Sequence, residues 1–397
     1  MSLSPNKKRV HEDNNHSSPS SSSLSLSSLP NDTILRCLLG VPRSSHLNVS
    51  HVNKTFRSLV RSPEFQFHQI RSLLLRKDSV YVSFSCADID DVFQWFTLRP
   101  TEIENEKKKK KTVEYRLVPF SIPLPSNGFA FVPSIAVAIG SEIYFVGSNS
   151  DSETDLWIFD TRSGKLTQGP SMKSDGRFFS AVEVVDGKIY VIVGGYHGDE
   201  GMQVEVFDPK TRVWSFAGEE RIQWLTSPFC ASLEGKVFAV EEDGDEFVVY
   251  NARQGKREDM SVAKEMEEIG RPDYDFLICV CAVENVLYGC FSYSGIVWFD
   301  TKRSVWTRLV VSESDYVFDV KGKGSTDYFK VGAMVEYHGK LAVFWRHCEE
   351  EKNYDSMCGV MALDRVGGKI RGTIEWSGVV ATFSDDFMIA HCVAVSH

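Results

Sequence analysis

The sequence predicts a mainly β protein, a closed ring of four-stranded antiparallel meanders behind a short all-α module. Three observations carry this. Ala181 to Trp214 reads as one complete meander; the same pattern recurs four more times in phase; and residues 29–65 change to short amphipathic helices.

In that meander, Ala181–Val185, Lys188–Val193 and Val204–Phe207 are short β-branched runs bounded by turn residues. Asp186-Gly187 between the first two is a strong hairpin signal. Gly194-Gly195 closes the second run, Asp208-Pro209 ends the third, and Trp214 begins a fourth strand. One such sheet cannot bury both faces alone, so it requires neighbours.

They are present. Turn residues Gly140, Gly187, Gly235, Asn285 and Gly339 stand 47, 48, 50 and 54 residues apart. Each is followed by an apolar strand and then by a run ending in Asp or Asn: LWIFD to Asp160, VEVFD to Asp208, FVVYN to Asn251, IVWFD to Asp300 and VMALD to Asp364. Trp214 and Trp306 both follow that Asp by six residues, and Trp376 comes late in the fifth copy. Earlier pieces at 79–85, 92–98 and 114–118 lack one strand of a meander, while Met388–Ser396 is a strand with no meander of its own. Joining them avoids two exposed edges, so six units are expected, the last strand completing the first sheet. The run 102–111, with five consecutive lysines, reads as a solvated loop at a hairpin end, with a nuclear-import signal as the alternative.

Upstream, residues 1–28 form a Ser-rich leader without periodicity, expected to be disordered. Residues 29–65 open with Leu29-Pro30-Asn31-Asp32, a helix start with Pro and an acid in the first turn. Ile34, Leu35, Leu38 and Leu39 form one apolar stripe; Pro42 breaks it. Leu47, Val49, Val52, Phe56, Leu59 and Val60 form a second, stopped by Ser62-Pro63. Two or three helices in so few residues make a poor independent core, so apolar surface is expected to await a partner.

Composition narrows function. The apolar fraction is 42% and aromatics are 12%, enough for a large core. Net charge is −10, of which the segment after residue 65 carries −14. So acidic a body argues against nucleic acid as a partner. Nine cysteines without a C-x-x-C pair read as reduced thiols in an intracellular, cytoplasmic or nuclear, protein, and Cys279 and Cys281 as small buried hydrophobes. The longest apolar run, Phe276–Val283, is too short to cross a membrane.

No catalytic constellation is legible: there is no G-x-S-x-G, H-E-x-x-H or Walker loop. His347, Cys348 and Cys358 have no zinc-site spacing, so neither metal nor cofactor is expected. Binding remains. Tyr196, His197, Trp224, Tyr274, Phe276, Tyr293, Trp345 and Arg346 lie in or beside expected loops, and aromatics with Arg are the residues of interface hot spots. The alternative for each is packing between sheets.

The period near 50 with a terminal Gly-Gly and a later Trp resembles the kelch repeat of β-propellers. Residues 29–65 resemble an F-box, on Leu29-Pro30, Ile34/Leu35/Leu38, Val41-Pro42 and Val52-Asn53-Lys54-Thr55-Phe56-Arg57, with Phe56 where Trp is usual. Together the chain is similar to plant-type F-box/kelch-repeat proteins, with a leader at 1–28, an F-box at 29–70 and a propeller at 71–397. The resemblance implies a non-catalytic substrate adaptor of an SCF ubiquitin ligase. Leu29, Pro30, Ile34, Leu35, Leu38, Val41, Pro42, Val52 and Phe56 would carry or support contact with a Skp-family adaptor, and through it cullin and RING subunits. The propeller would bind a target protein. A propeller scaffold or metabolite sensor outside any ligase is the alternative, and a kelch-type enzyme a third.

Overall fold

A computed structural model describes residues 29–39, 46–65, 79–86, 93–105, 110–123, 136–147, 155–173, 180–193, 202–220, 229–241, 243–245, 247–258, 260, 275–311, 330–350, 353–383 and 387–396. The leader lies outside them.

Three helices come first: α1 (Asn31–Leu39), α2 (His46–Val52) and α3 (Lys54–Val60). Strands follow to the end of the chain. The first blade holds β1 (Ser79–Cys86), β2 (Phe93–Asn105) and β3 (Lys110–Phe120). The second is β4 (Ala136–Ile139), β5 (Glu142–Val146), β6 (Leu156–Asp160) and β7 (Lys165–Gln168). The third is β8 (Ser180–Val185), β9 (Lys188–Val193), β10 (Met202–Asp208) and β11 (Val213–Glu220). The fourth is β12 (Phe229–Leu233), β13 (Lys236–Val240), β14 (Phe247–Asn251) and β15 (Lys256–Glu258). The fifth is β16 (Leu277–Val283), β17 (Val286–Phe291), β18 (Gly295–Asp300) and β19 (Val305–Arg308). After β20 (Val310–Val311), the sixth is β21 (Lys330–Tyr337), β22 (Lys340–Glu350), β23 (Asn353–Val366) and β24 (Lys369–Phe383), and β25 (Phe387–Val395) ends the chain.

β25 pairs antiparallel with β1, from Ser79↔Val395 to Cys86↔Phe387, so the last strand is the innermost of the first blade. This is the expected six-bladed β-propeller, closed by the C-terminal strand. The inner strands touch in a ring, β4 to β8, β12, β16, β21, β25 and back to β4. Gly332 permits one of these approaches, because a Cβ there would stand 2.5 Å from that of Ile389.

The core lies between blades. Along β9, Ile189 and Val191 join the cluster shared with the second blade, while Ile192 joins that shared with the fourth. Alternation therefore buries both faces, which is why this strand reads as continuously apolar. Four other such strata complete the ring, including Val80, Phe84 and Phe96 with Val335 and Phe344 between the first and sixth blades.

Turn chemistry explains the repeated letters. The β8–β9, β12–β13, β16–β17 and β21–β22 turns have positive φ at both central residues, as in Asp186 (49°) with Gly187 (75°), matching the right-handed twist of the strands. In the β4–β5 turn Gly140 alone is positive, at 58°, so the first copy sits one residue out of the expected phase. The recurring strand-end Asp or Asn is an acceptor: Asp208 Oδ1 takes the Lys210 N–H at 2.9 Å, Asp300 Oδ1 that of Lys302 at 3.0 Å, and Asn251 Oδ1 that of Arg253 at 3.2 Å. Strand termination at Asp208 thus rests on the carboxylate as well as on Pro209.

One expectation is corrected. The lysine run is not all loop, since β2 and β3 continue pairing to Asn105↔Lys110. The fifth copy has strands of 14 and 15 residues, β23 and β24, because each finds a partner along its length, β20 included. Among the described residues no helix is long and apolar enough to cross a membrane.

Candidate functional site

Two surfaces are in question, one on the helices and one on the propeller. α1 starts at Asn31, and the Pro30 carbonyl accepts from Ile34 N at 3.0 Å. The second apolar stripe is split in two by Asn53. Its extended backbone (φ −159°) lets the side chain accept from Phe56 N at 2.7 Å and cap α3. Asn before Lys-Thr-Phe was the sequence signal for that break. Arg57 Nε donates to the Ser50 carbonyl at 3.1 Å, tying α3 to α2.

The structure separates what the sequence left together. Ile34, Leu35, Leu38 and Phe56 are buried with Leu59 and Phe65 in one small core, and Leu29, Val49 and Val60 pack partly against it. Among the described side chains the stripes largely cover each other, so the apolar surface expected to await a partner is narrower than the two stripes. Pro30 is exposed, and Val52, 67% exposed, is the large apolar side chain presented outward. Val41 and Pro42 lie outside the described residues.

The propeller has two dissimilar ends. One carries the tight turns, including Asp186-Gly187. The chain enters here from the helices, because Ser79 opposes Val395 and Ser396 N donates to Gly140 O at 3.1 Å beside the first turn. The other end carries the longer connections. Tyr293 is there, its N–H held by the Asp275 carboxylate at 2.6 Å. Tyr196, His197, Trp224 and Tyr274 lie outside the described residues. Trp345, expected beside a loop, is instead inside β22 and 2% exposed, since that strand runs on to Glu350. It packs between the fifth and sixth blades. Arg346 is half-buried, with Nη1 donating to the Phe387 carbonyl at 3.5 Å.

The interior offers little to chemistry among the described residues. Burial raises the thiols of Cys230, Cys279, Cys281, Cys358 and Cys392 and pushes Cys290 up to about 12, so they stay protonated hydrophobes. Cys279 and Cys281 are each 9% exposed, as expected. No group of three or more His, Cys, Asp and Glu among those residues is placed to hold a metal. Burial also lowers His391, whose Nε2 lies 3.0 Å from the Ala136 carbonyl. That contact joins β25 to β4 through a neutral ring with its proton on Nε2.

Glu183 on β8 is the exception. Desolvation pushes its carboxyl to about 7, against the lowering effect of hydrogen bonds from Val184 N and the Ser232 side chain. The ordinary value is 4.5. In the folded protein the group binds its proton more tightly than in the unfolded chain. Its unfavourable ionisation is absent below pH 4.5, grows as pH rises toward 7, and is complete above that. Glu183→Gln is therefore expected to raise stability at pH 8 by roughly 3 kcal/mol and to flatten stability between pH 5 and 7. Urea melts at pH 5 and 8 check this; an equal effect at both values would show that the carboxyl is solvated.

Residues 26–68 match the family model described as the F-box domain, and residues 95–381 match the FKB95 Kelch-repeats domain. A putative F-box/kelch-repeat protein of Arabidopsis thaliana is 41% identical, over 94% of this chain and 97% of its own. Two further F-box/kelch-repeat proteins of Arabidopsis thaliana are 35% and 34% identical, each over 95% of this chain and over 94% and 96% of their own lengths.

Proposed function

The chain belongs to the F-box/kelch-repeat family, and from that premise we propose that it is the substrate-recognition subunit of an SCF-type ubiquitin ligase. The observation that carries this is the union, in one polypeptide, of an F-box and a closed propeller whose chain enters from the helices at one end only. The F-box docks on a Skp-family adaptor, which links it to cullin and RING subunits. The propeller holds a target protein near the ubiquitin-charged conjugating enzyme. Its contribution is effective concentration rather than bond chemistry.

Within the helical module the burial pattern divides the work. Pro30 and Val52 face the adaptor, while Ile34, Leu35, Leu38 and Phe56 keep the helices in register and Leu29 bridges the two sets; Val41 and Pro42 are assigned to the contact by the resemblance alone. Replacing Leu29-Pro30 by Ala-Ala is expected to abolish co-purification with the adaptor. Because Leu29 also touches the core, Val52→Asp is the sharper variant. It desolvates a charge in the interface, is expected to weaken capture at least tenfold, and should leave the helical circular dichroism unchanged. Full capture by both variants would overturn the assignment and leave a propeller scaffold acting outside a ligase.

A further inference from the structure

We propose that the axial channel of the propeller binds a small organic cation, an alkylammonium ion held by Glu183 and Glu336. The site belongs to the propeller alone and does not depend on the ligase reading.

The make-up of the inner ring gives the first reason. Strands β4, β8, β12, β16, β21 and β25 touch in sequence around the axis, and such a ring encloses a channel. Glu183 and Glu336 are the only Asp or Glu on these strands. The only Lys or Arg is Lys330, at the opposite end of β21 from Glu336. Both carboxylates lie toward the turn end, Glu183 just before the Asp186 turn and Glu336 just before the His338 turn. Neither has an ion-pair partner among the described residues.

Exposure gives the second. Glu183, Cys230, Ser232 and His391 are half-buried rather than buried. Desolvation is nevertheless the leading influence on Glu183, Cys230 and His391. Partial access in a desolvated setting describes groups that line a confined space, not the outer surface.

The groups also converge. Glu183 accepts from Val184 N at 3.2 Å and from the Ser232 side chain of the next blade. Cys230 Sγ donates to the Val182 carbonyl at 3.4 Å, and after burial the Glu183 charge raises that thiol. Cys281 on β16 is raised by burial, by Cys392, and then by both Glu336 and Glu183, so the two carboxylates bear on one stretch of the ring. Glu336 Oε1 is fixed by Gly339 N at 2.6 Å. Nothing packed against β8 neutralises Glu183. Tyr190 opposes it on β9, β4 has no ionisable residue, and Lys188 and Lys236 are paired with Asp208 and Glu258. A carboxylate there weakens the fold as it ionises, and an ammonium group offsets that cost. Half-buried Ala138, Val280, Ala282 and Ile389 on the same strands suit an alkyl chain behind the charge. No group of three or more His, Cys, Asp and Glu among the described residues is placed to hold a metal, which favours a molecular cation.

The test titrates n-hexylammonium chloride into the full chain at pH 8 and pH 5, reading melting temperature and binding heat. Sodium chloride and n-hexanol are the comparisons. Hexylammonium is expected to bind and to raise the melting temperature at pH 8. Its affinity should fall at least about tenfold at pH 5, where Glu183 is protonated. Glu183→Gln should abolish binding, whereas Glu183→Asp keeps the charge and should retain part of it. Glu336→Gln should weaken binding by about threefold to tenfold. Glu234→Gln with Glu284→Gln removes two exposed charges at the same end and should leave affinity within about twofold.

Equal binding of hexanol would reduce the site to an apolar gap and overturn the proposal. An equal effect of sodium chloride, or equal weakening by the exposed pair, would reduce it to net charge and overturn it as well. So would unchanged binding to Glu183→Gln, or no binding of hexylammonium at millimolar concentration. If Glu183→Gln does not fold, Glu336→Gln and the pH comparison on the unaltered chain still decide.

Discussion

Deleting residues 387–397 is expected to abolish cooperative folding of the propeller. The deletion removes β25, which is the inner strand of the first blade although it lies more than 300 residues from β1 in the chain. Three losses coincide. The β1 backbone edge loses its ladder from Ser79 to Cys86, and an unpaired inner edge is an aggregation site. Phe387, Cys392, Val393 and Val395 leave the two strata they help fill, against the sixth and second blades. The ring contacts of β25 with β21 and β4 go as well, with the His391 to Ala136 and Ser396 to Gly140 bonds. Losing four buried side chains at about 2 kcal/mol each takes away an amount comparable with the whole stability of a typical domain. The truncated chain should elute as aggregate and show no sharp thermal transition. A peptide of residues 387–396 added during refolding should restore part of the monomer. A truncated chain that melts like the intact one would show that the ring is held without this strand.

Trp306→Ala should destabilise the protein by about 3–5 kcal/mol, the range for emptying a large aromatic site. Trp306 is 2% exposed on β19, the outer strand of the fifth blade. Its ring lies against Phe299 (centroids 5.1 Å), Phe291 (5.7 Å) and Phe247 (5.8 Å). Phe247 belongs to the fourth blade, so the side chain joins two sheets. Nε1 donates to the Gly244 carbonyl at 3.0 Å, fixing the loop of that blade. Trp214 repeats the device toward Pro170 O at 2.8 Å. Trp306→Phe keeps most of the apolar area and should cost about 1–2 kcal/mol, the value of a buried carbonyl left without its donor. Gly289→Ala reaches the same site from below, because an added Cβ would stand 3.1 Å from the Trp306 ring. Denaturant midpoints for the three variants check the ranking. Equal costs for Trp306→Ala and Trp306→Phe would mean that the hydrogen bond, not the packing, dominates.

Much of this was legible beforehand. Asp186-Gly187, the strand-end Asp residues and the later Trp set the blade pattern, since each is demanded locally by a turn or a packing position. The F-box was legible from Leu29-Pro30 and the spacing of Ile34, Leu35 and Leu38, which is a property of one helix face. Trp345 was misplaced because the sequence does not say where β22 stops, and strand length depends on a partner strand found far along the chain. The extension of β2 and β3 into the lysine run was hidden for the same reason: each strand is prolonged by the other, as far as Asn105↔Lys110.

The sequence by itself determined the repeating unit, because turn chemistry and period-two burial act over a few residues; the leftover strands at both ends gave the number of blades, and the resemblance of its motifs gave the family. Tertiary structure alone decided two things. It separated the buried Ile34, Leu35, Leu38 and Phe56 from the outward Val52, since one stripe is split between core and surface only when helices pack. And it desolvated the Glu183 carboxyl on β8 while bringing the Ser232 side chain of the neighbouring blade to it as a hydrogen-bond partner, a pairing that depends on strands from two blades.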